Sequence, residues 1–110
     1  MFKNIKKRIL KRNMESFEIN LDDLKIKRNN GAIIIDVRSS QEYEEGHLEN
    51  AINIPYYEIK NKINKISNNK EKEIVLYCEA GTRSKKAYKI LKRLQYQNVY
   101  SLHGGIEKWI

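Results

Sequence analysis

The sequence holds one cysteine, Cys78, and one proline, Pro55. A single cysteine excludes an intramolecular disulfide framework and any metal site built from several cysteines. A reducing, cytoplasmic compartment is the default expectation for such a chain. No apolar run approaches the roughly 18 residues of a membrane span. The N-terminus also lacks the roughly 7–15-residue apolar stretch of a signal peptide. Acidic residues are missing from the first 13 positions, where Lys3, Lys6, Lys7, Arg8, Lys11 and Arg12 carry six of the eight net positive charges. The remainder is close to neutral, so the basicity belongs to a terminal extension and not to the domain. Interleaved aromatics are absent there too, which argues against a nucleic-acid motif.

What is present fits one globular domain. The chain has 110 residues, 40% hydrophobic and 33% charged, enough for one core. We read residues 1–13 as a basic extension and 14–110 as the domain. Phe2, Ile5 and Ile9 fall at helical spacing in the extension. A membrane-surface or acidic-partner segment would look like this. A solvated terminal helix is the preferred reading, because the apolar face is narrow and only about three turns long.

Downstream, strand and helix signals alternate. Glu15–Ile19 reads as a strand, and Asn20 caps a helix from Leu21 to about Lys27. Ala32–Ile35 is a continuous apolar run, a strand buried on both faces. Ser39 and Glu42 have capping-box spacing, and Gly46 ends that helix. Ala51–Ile54 is a short strand, and Pro55 opens a helix striped by Tyr56, Ile59, Ile63 and Ile66. Glu73–Tyr77 is a buried strand, followed by a helix with Ala87, Ile90, Leu91 and Leu94 on its apolar face. Val99–Leu102 is the last strand, before a glycine turn at His103-Gly104-Gly105 and a terminal helical turn with Trp109 packing back. This alternation predicts an α/β fold with a mostly parallel sheet. Ligands then bind beyond the carboxyl ends of the strands. That rule gathers Asp36-Val37-Arg38, the residues after Tyr77 and the glycine turn at one edge.

Cys78 stands where a strand ends and a helix begins. Converging backbone N–H groups and the helix N-terminus both favour thiolate over thiol there. A buried structural cysteine is the plainer alternative. Gly81, which allows a tightly wrapped loop, and Arg83, a fixed charge with a planar fork of donors, favour a reactive one. Asp36 and Arg38 read as a structural ion-pair network reaching Glu42. His47 reads as a packing or hydrogen-bonding residue and His103 as lining the mouth of the site. Neither has metal-ligand spacing with Cys78. Lys85 and Lys86 raise the local positive potential for an anionic substrate.

Asp36-Val37-Arg38, Glu42-Tyr43 with Gly46-His47-Leu48, Ala51-Ile52-Asn53-Ile54-Pro55, Cys78-x-x-Gly81-x-Arg83-Ser84, and Leu102-His103-Gly104-Gly105 with Trp109 occur in this order. In this the chain resembles the single-domain rhodaneses, a sulfurtransferase family, from about Phe17 to Trp109. The resemblance implies a five-stranded, mostly parallel sheet with helices on both faces. It implies that Cys78 takes a sulfane sulfur from thiosulfate or a persulfide, forming a Cys78 persulfide. A thiol, cyanide or a protein then accepts the sulfur, with ping-pong kinetics. Backbone N–H groups of Glu79, Ala80, Gly81, Thr82 and Arg83 would hold the persulfide. Arg83 would fix the loop and bind the donor's anionic end, and no metal or organic cofactor is implied. Four residues separate Cys78 from Arg83, where cysteine phosphatases keep five, so phosphatase or arsenate reductase activity ranks below sulfur transfer. The non-enzyme alternative is a persulfide carrier fed by a partner protein. Glu79 either faces the donor or points outward, and the sequence leaves both open. Asn50 and Gln95 stand where the family often has glycine. Asn tolerates a left-handed conformation, and Gln95 carries a small stability cost.

Overall fold

The computed structural model describes residues 14–110, so the readings made for residues 1–13 lie outside the described residues. The elements are β1 (Glu18–Ile19), α1 (Leu21–Asn29), β2 (Ile33–Asp36), α2 (Ser40–Glu45) and β3 (Ile52–Asn53). A 3-10 turn (Tyr56–Glu58) runs into α3 (Ile59–Ile66), followed by β4 (Ile74–Tyr77), α4 (Thr82–Arg93), β5 (Val99–Leu102) and α5 (Gly105–Trp109). The five strands form one sheet in the order β1-β5-β4-β2-β3. Every neighbouring pair is parallel, with Ile33 beside Ile74 and Leu76 beside Ser101. β4 therefore lies at the centre, and Cys78 follows its carboxyl end.

Side-chain alternation along β4 divides the core into two layers. Ile74, Leu76 and Cys78 join Ile35, Ile59, Ile63, Ala87 and Leu91 on the face covered by α3 and α4. Val75 and Tyr77 join Ile19, Leu24, Ile34 and Leu102 on the other face, where α1 supplies Leu24. Both faces of the central strand are thus dry, which is why it reads as a continuous apolar run. Asn20 caps α1 by accepting from the Asp23 N–H at 2.8 Å. Ser39 and Glu42 make the reciprocal capping box at the start of α2. Asn50 and Gln95 both adopt positive φ, 64° and 73°, the conformation in which glycine has the advantage.

Four local expectations need correction. Only Glu18–Ile19 of the predicted Glu15–Ile19 strand pairs. The Glu18 N–H donates to the Glu15 carbonyl and the Glu18 carboxylate accepts from the Glu15 N–H, each at 2.9 Å, so the alternating pattern closes a turn. β3 is likewise shorter than Ala51–Ile54, and α1 runs on to Asn29. Pro55 opens a 3-10 turn, and α3 starts only at Ile59. The Tyr56 N–H is already committed to the Val37 carbonyl at 3.0 Å, holding this segment against the exit of β2. Trp109 returns to the body through its indole N–H, which donates to the His103 carbonyl at 2.7 Å, while its ring stays 37% exposed.

Candidate active site

The loop after β4 folds over the Cys78 side chain, which is 1% exposed. Gly81 takes φ 97° as the residue preceding α4, turning the chain back on the sulfur. The Gly81 N–H donates to Cys78 Sγ at 3.1 Å and the Ser84 N–H at 3.3 Å. Both donors come from the loop and the first turn of α4, where helix N–H groups lack intrahelical partners. The site therefore presents two converging dipoles to one sulfur, an arrangement that stabilises negative charge.

Contacts on the opposite side hold the loop in this orientation. The Cys78 carbonyl accepts from the Ile106 N–H at 3.0 Å and the Glu79 carbonyl from the Glu107 N–H at 3.1 Å. The first turn of α5 thus draws these two carbonyls away from the sulfur. The approach is so close that a Cβ on Gly105 would lie 2.1 Å from the Glu79 carbonyl oxygen. Only glycine fits there, and its φ of 70° also favours glycine. The glycine turn is therefore a support for the cysteine loop.

The charged residues pair across long sequence distances. Asp36 is fully buried, and Arg38 grips it through Nε, Nη2 and its own backbone N–H. Burial works against the Arg38 charge, but the bonds to Asp36 outweigh it and raise the guanidinium pKa. Arg38 Nη1 reaches Glu79 Oε1 at 3.3 Å. The Glu79 carboxylate, open in the sequence, thus lies over Arg38. Glu42 does not join Asp36 and Arg38. Its capping-box geometry aims it at Arg83, which donates Nη1 to Oε1 at 2.6 Å and Nη2 to Oε2 at 3.0 Å. These bonds pull the Glu42 pKa down to about 2 and raise that of Arg83. The fork expected to meet a donor is therefore engaged with α2, where it anchors the start of α4.

A cavity of about 320 Å³ opens above the loop, lined by Ala80, Gly81, Thr82, Lys85, Lys86 and Lys89. Its charge is cationic, as expected for Lys85 and Lys86. His103 does not line it. Its Nδ1 pairs with the buried Glu18 carboxylate at 3.0 Å, and Lys85 Nζ lies 3.8 Å from the other Glu18 oxygen. His47 stacks on Tyr43 with ring centroids 3.7 Å apart and bonds the Tyr43 carbonyl, a packing role. Among the described residues no cluster of His, Cys, Asp and Glu could hold a metal ion.

Two buried hydroxyls beside the sulfur were not singled out as functional residues in the sequence. Ser84 Oγ lies 3.5 Å from Cys78 Sγ, and Ser101 Oγ lies 2.8 Å from Ser84 Oγ. Ser84 had a signal, its place in the Cys78-x-x-Gly81-x-Arg83-Ser84 motif. Ser101 had none, because its proximity follows from the pairing of β4 with β5.

Comparison with known proteins matches this geometry. The rhodanese-like domain family matches residues 20–110. A rhodanese-related protein from Thermoplasma volcanium is 32% identical, with a TM-score of 0.71 over 84% of this chain and 88% of that one. A rhodanese with anions from E. coli is 35% identical, with a TM-score of 0.65 over 70% of this chain and 89% of its own. Among curated relatives, a tRNA uridine(34) hydroxylase from Erwinia tasmaniensis is 37% identical over 79 residues, 68% of this chain. The chain spans only 23% of that relative's length. Family match, parallel sheet and cysteine loop agree, and the chain belongs to the rhodanese-like domain family.

Proposed function

We propose that this domain is a sulfurtransferase that carries a sulfane sulfur as a persulfide on Cys78. The observation that carries the reading is the convergence of the Gly81 and Ser84 N–H groups on Sγ at 3.1 and 3.3 Å. They favour the thiolate that must attack. In the first half-reaction the Cys78 thiolate forms a bond to the outer sulfur of thiosulfate, and the S–S bond of the donor breaks with sulfite leaving. The N–H groups of the loop from Glu79 to Arg83 then receive the anionic outer sulfur. In the second half-reaction a thiophilic acceptor bonds that sulfur, and the Cys78 thiolate leaves with the electron pair.

Lys85 and Lys86 supply the attraction for an anionic donor or acceptor, since Arg83 is engaged by Glu42. Glu79 weakens that field little, because Arg38 partners its carboxylate. The Cys78 side chain is 1% exposed, so a donor sulfur reaches Sγ only through the loop that covers it. The alternative of a carrier fed by a partner protein draws support from the way similar domains occur inside much larger chains, such as the hydroxylase relative. An assay of thiocyanate formation from thiosulfate and cyanide separates the two. The sulfurtransferase reading predicts that the purified domain turns over and that Cys78→Ala abolishes the activity, whereas a partner-fed carrier would turn over thiosulfate slowly. Turnover retained in Cys78→Ala, or phosphate release from phosphoesters with no sulfur transfer, would overturn the assignment.

A further inference from the structure

We infer that Ser101, on β5, is a positioning residue that acts through Ser84, whose O–H it polarises as a hydrogen-bond donor to the Cys78 thiolate. The inference deepens the sulfur-transfer reading and rests on it for its role in turnover. Ser84 and Ser101 are both fully buried. Around Ser84 Oγ lie three polar partners: Ser101 Oγ at 2.8 Å, the Gly81 carbonyl at 3.1 Å and Cys78 Sγ at 3.5 Å. A hydroxyl has one proton to give and two lone pairs. The only hydrogen bond of Ser101 Oγ among the described residues is the one it donates to Ser84 Oγ. That bond occupies one lone pair of Ser84. The Ser84 proton is then restricted to two directions, the Gly81 carbonyl or Cys78 Sγ.

These two directions correspond to two states of the cysteine. With Cys78 a thiol, its S–H donates to Ser84 Oγ and the Ser84 O–H donates to the Gly81 carbonyl, an arrangement that the heavy-atom distances of 3.5 and 3.1 Å accommodate. When Cys78 loses its proton, the Ser84 O–H turns to the sulfur and becomes its third donor, beside the Gly81 and Ser84 N–H groups. The Gly81 carbonyl is not orphaned, because it also accepts from the Lys85 N–H at 3.2 Å. The switch therefore leaves no buried acceptor unpaired, the condition under which such networks are stable. In sulfur transfer the third donor matters twice. It favours the attacking thiolate, and it stabilises Sγ again when Cys78 departs from its persulfide. In the persulfide the charge lies on the outer sulfur, and the Ser84 proton returns to Gly81.

Without the Ser101 hydroxyl, Ser84 loses the donated bond that polarises its own O–H, and it becomes a weaker donor to the thiolate. The charged groups around the Cys78 loop are Arg83 with Glu42, Arg38 with Asp36 and Glu79, Lys85 with Glu18 and His103, and Lys86 and Lys89 in the cavity wall. The Ser101 hydroxyl bonds none of them, and Glu18, its register partner on β1, is held by His103 and Lys85 instead, so a change in the pH profile that Ser101→Thr restores reports the hydroxyl chain. The experiment is the rate of Cys78 alkylation by iodoacetamide between pH 5 and pH 10. Its pH dependence reads the thiolate fraction and its alkaline plateau reads access to the buried sulfur, and neither depends on sulfur transfer, which the thiocyanate assay tests separately. Ser101→Ala is expected to slow alkylation about fivefold at pH 7 and to reach the wild-type rate at the alkaline plateau. Ser101→Thr keeps the hydroxyl and is expected to follow the wild-type profile. In a Ser84→Ala background, Ser101→Ala is expected to add nothing. Equal slowing at all pH values, an unchanged rate at pH 7, a Thr variant that behaves as Ala, or an additive effect in Ser84→Ala would each overturn the inference.

Discussion

At the scale of single residues, the site depends on what each neighbour of Cys78 is already bonded to. Arg83 holds Glu42 through two nitrogens, so its contribution to chemistry is the fixed position of the Ser84 N–H one residue on. Glu79 looks like an obstacle to an anionic donor until its partner is considered. Arg38 Nη1 stands 3.3 Å from it, and the carboxylate is absent from the cavity wall. Half-exposed pairs of this kind contribute at most about 1 kcal/mol. Removing the charge therefore disturbs neither the loop nor the donor strongly. Glu79→Gln is expected to leave the Michaelis constant for thiosulfate within about twofold of wild type, measured in the thiocyanate assay. A large decrease would mean that the carboxylate meets the donor after all.

At the scale of elements, the cysteine loop is clamped from two sides. α5 binds its carbonyls, and α2 holds the start of α4 through Glu42 and Arg83. The second clamp is titratable. The Arg83 fork draws the Glu42 pKa from its ordinary 4.5 to about 2, so folding favours the carboxylate. A carboxyl whose pKa is lower when folded adds stability above its unfolded pKa and loses it as pH falls through the folded one. The Glu42 contribution is thus complete above about pH 5 and disappears between pH 4.5 and about 2. Glu42→Gln is expected to unfold at lower denaturant than wild type at pH 7, with the gap closing by pH 2, in urea melts followed by circular dichroism. A gap that is constant with pH would remove the ion pair from this account.

These two clamps also mark how far the sequence could be read. The Ser39–Glu42 capping box, the turns at Asn50 and Gln95 and the Cys78 loop depend on neighbours a few residues away. Spacing therefore exposes them. The partners of Glu42, Glu79 and Ser84 lie in distant segments: Glu42 and Glu79 are each 41 positions from their arginines, and Ser84 is 17 from Ser101. Those meetings are set by sheet order and register, which no local pattern encodes. Glu42 shows the limit well. Its proximity to Arg38 in the chain suggested the wrong partner, and the direction of α2 supplied the right one.

At the scale of the whole molecule, one cysteine sits at the carboxyl end of the central strand of a parallel sheet with a dry layer on each face. No described helix is long and apolar enough to cross a membrane. The sheet positions β5 so that Ser101 underlies the site and the following glycine turn closes on the loop. A single thiol also makes the central claim measurable on the intact chain, since any sulfur added to cysteine must be on Cys78. The most direct test is the intact mass of the protein after incubation with thiosulfate and, separately, with a low-molecular-weight persulfide. The account predicts a gain of about 32 Da, one sulfur on the thiolate, removed by cyanide and absent in Cys78→Ala. An unchanged mass with both donors, or a gain that persists in Cys78→Ala, would contradict it.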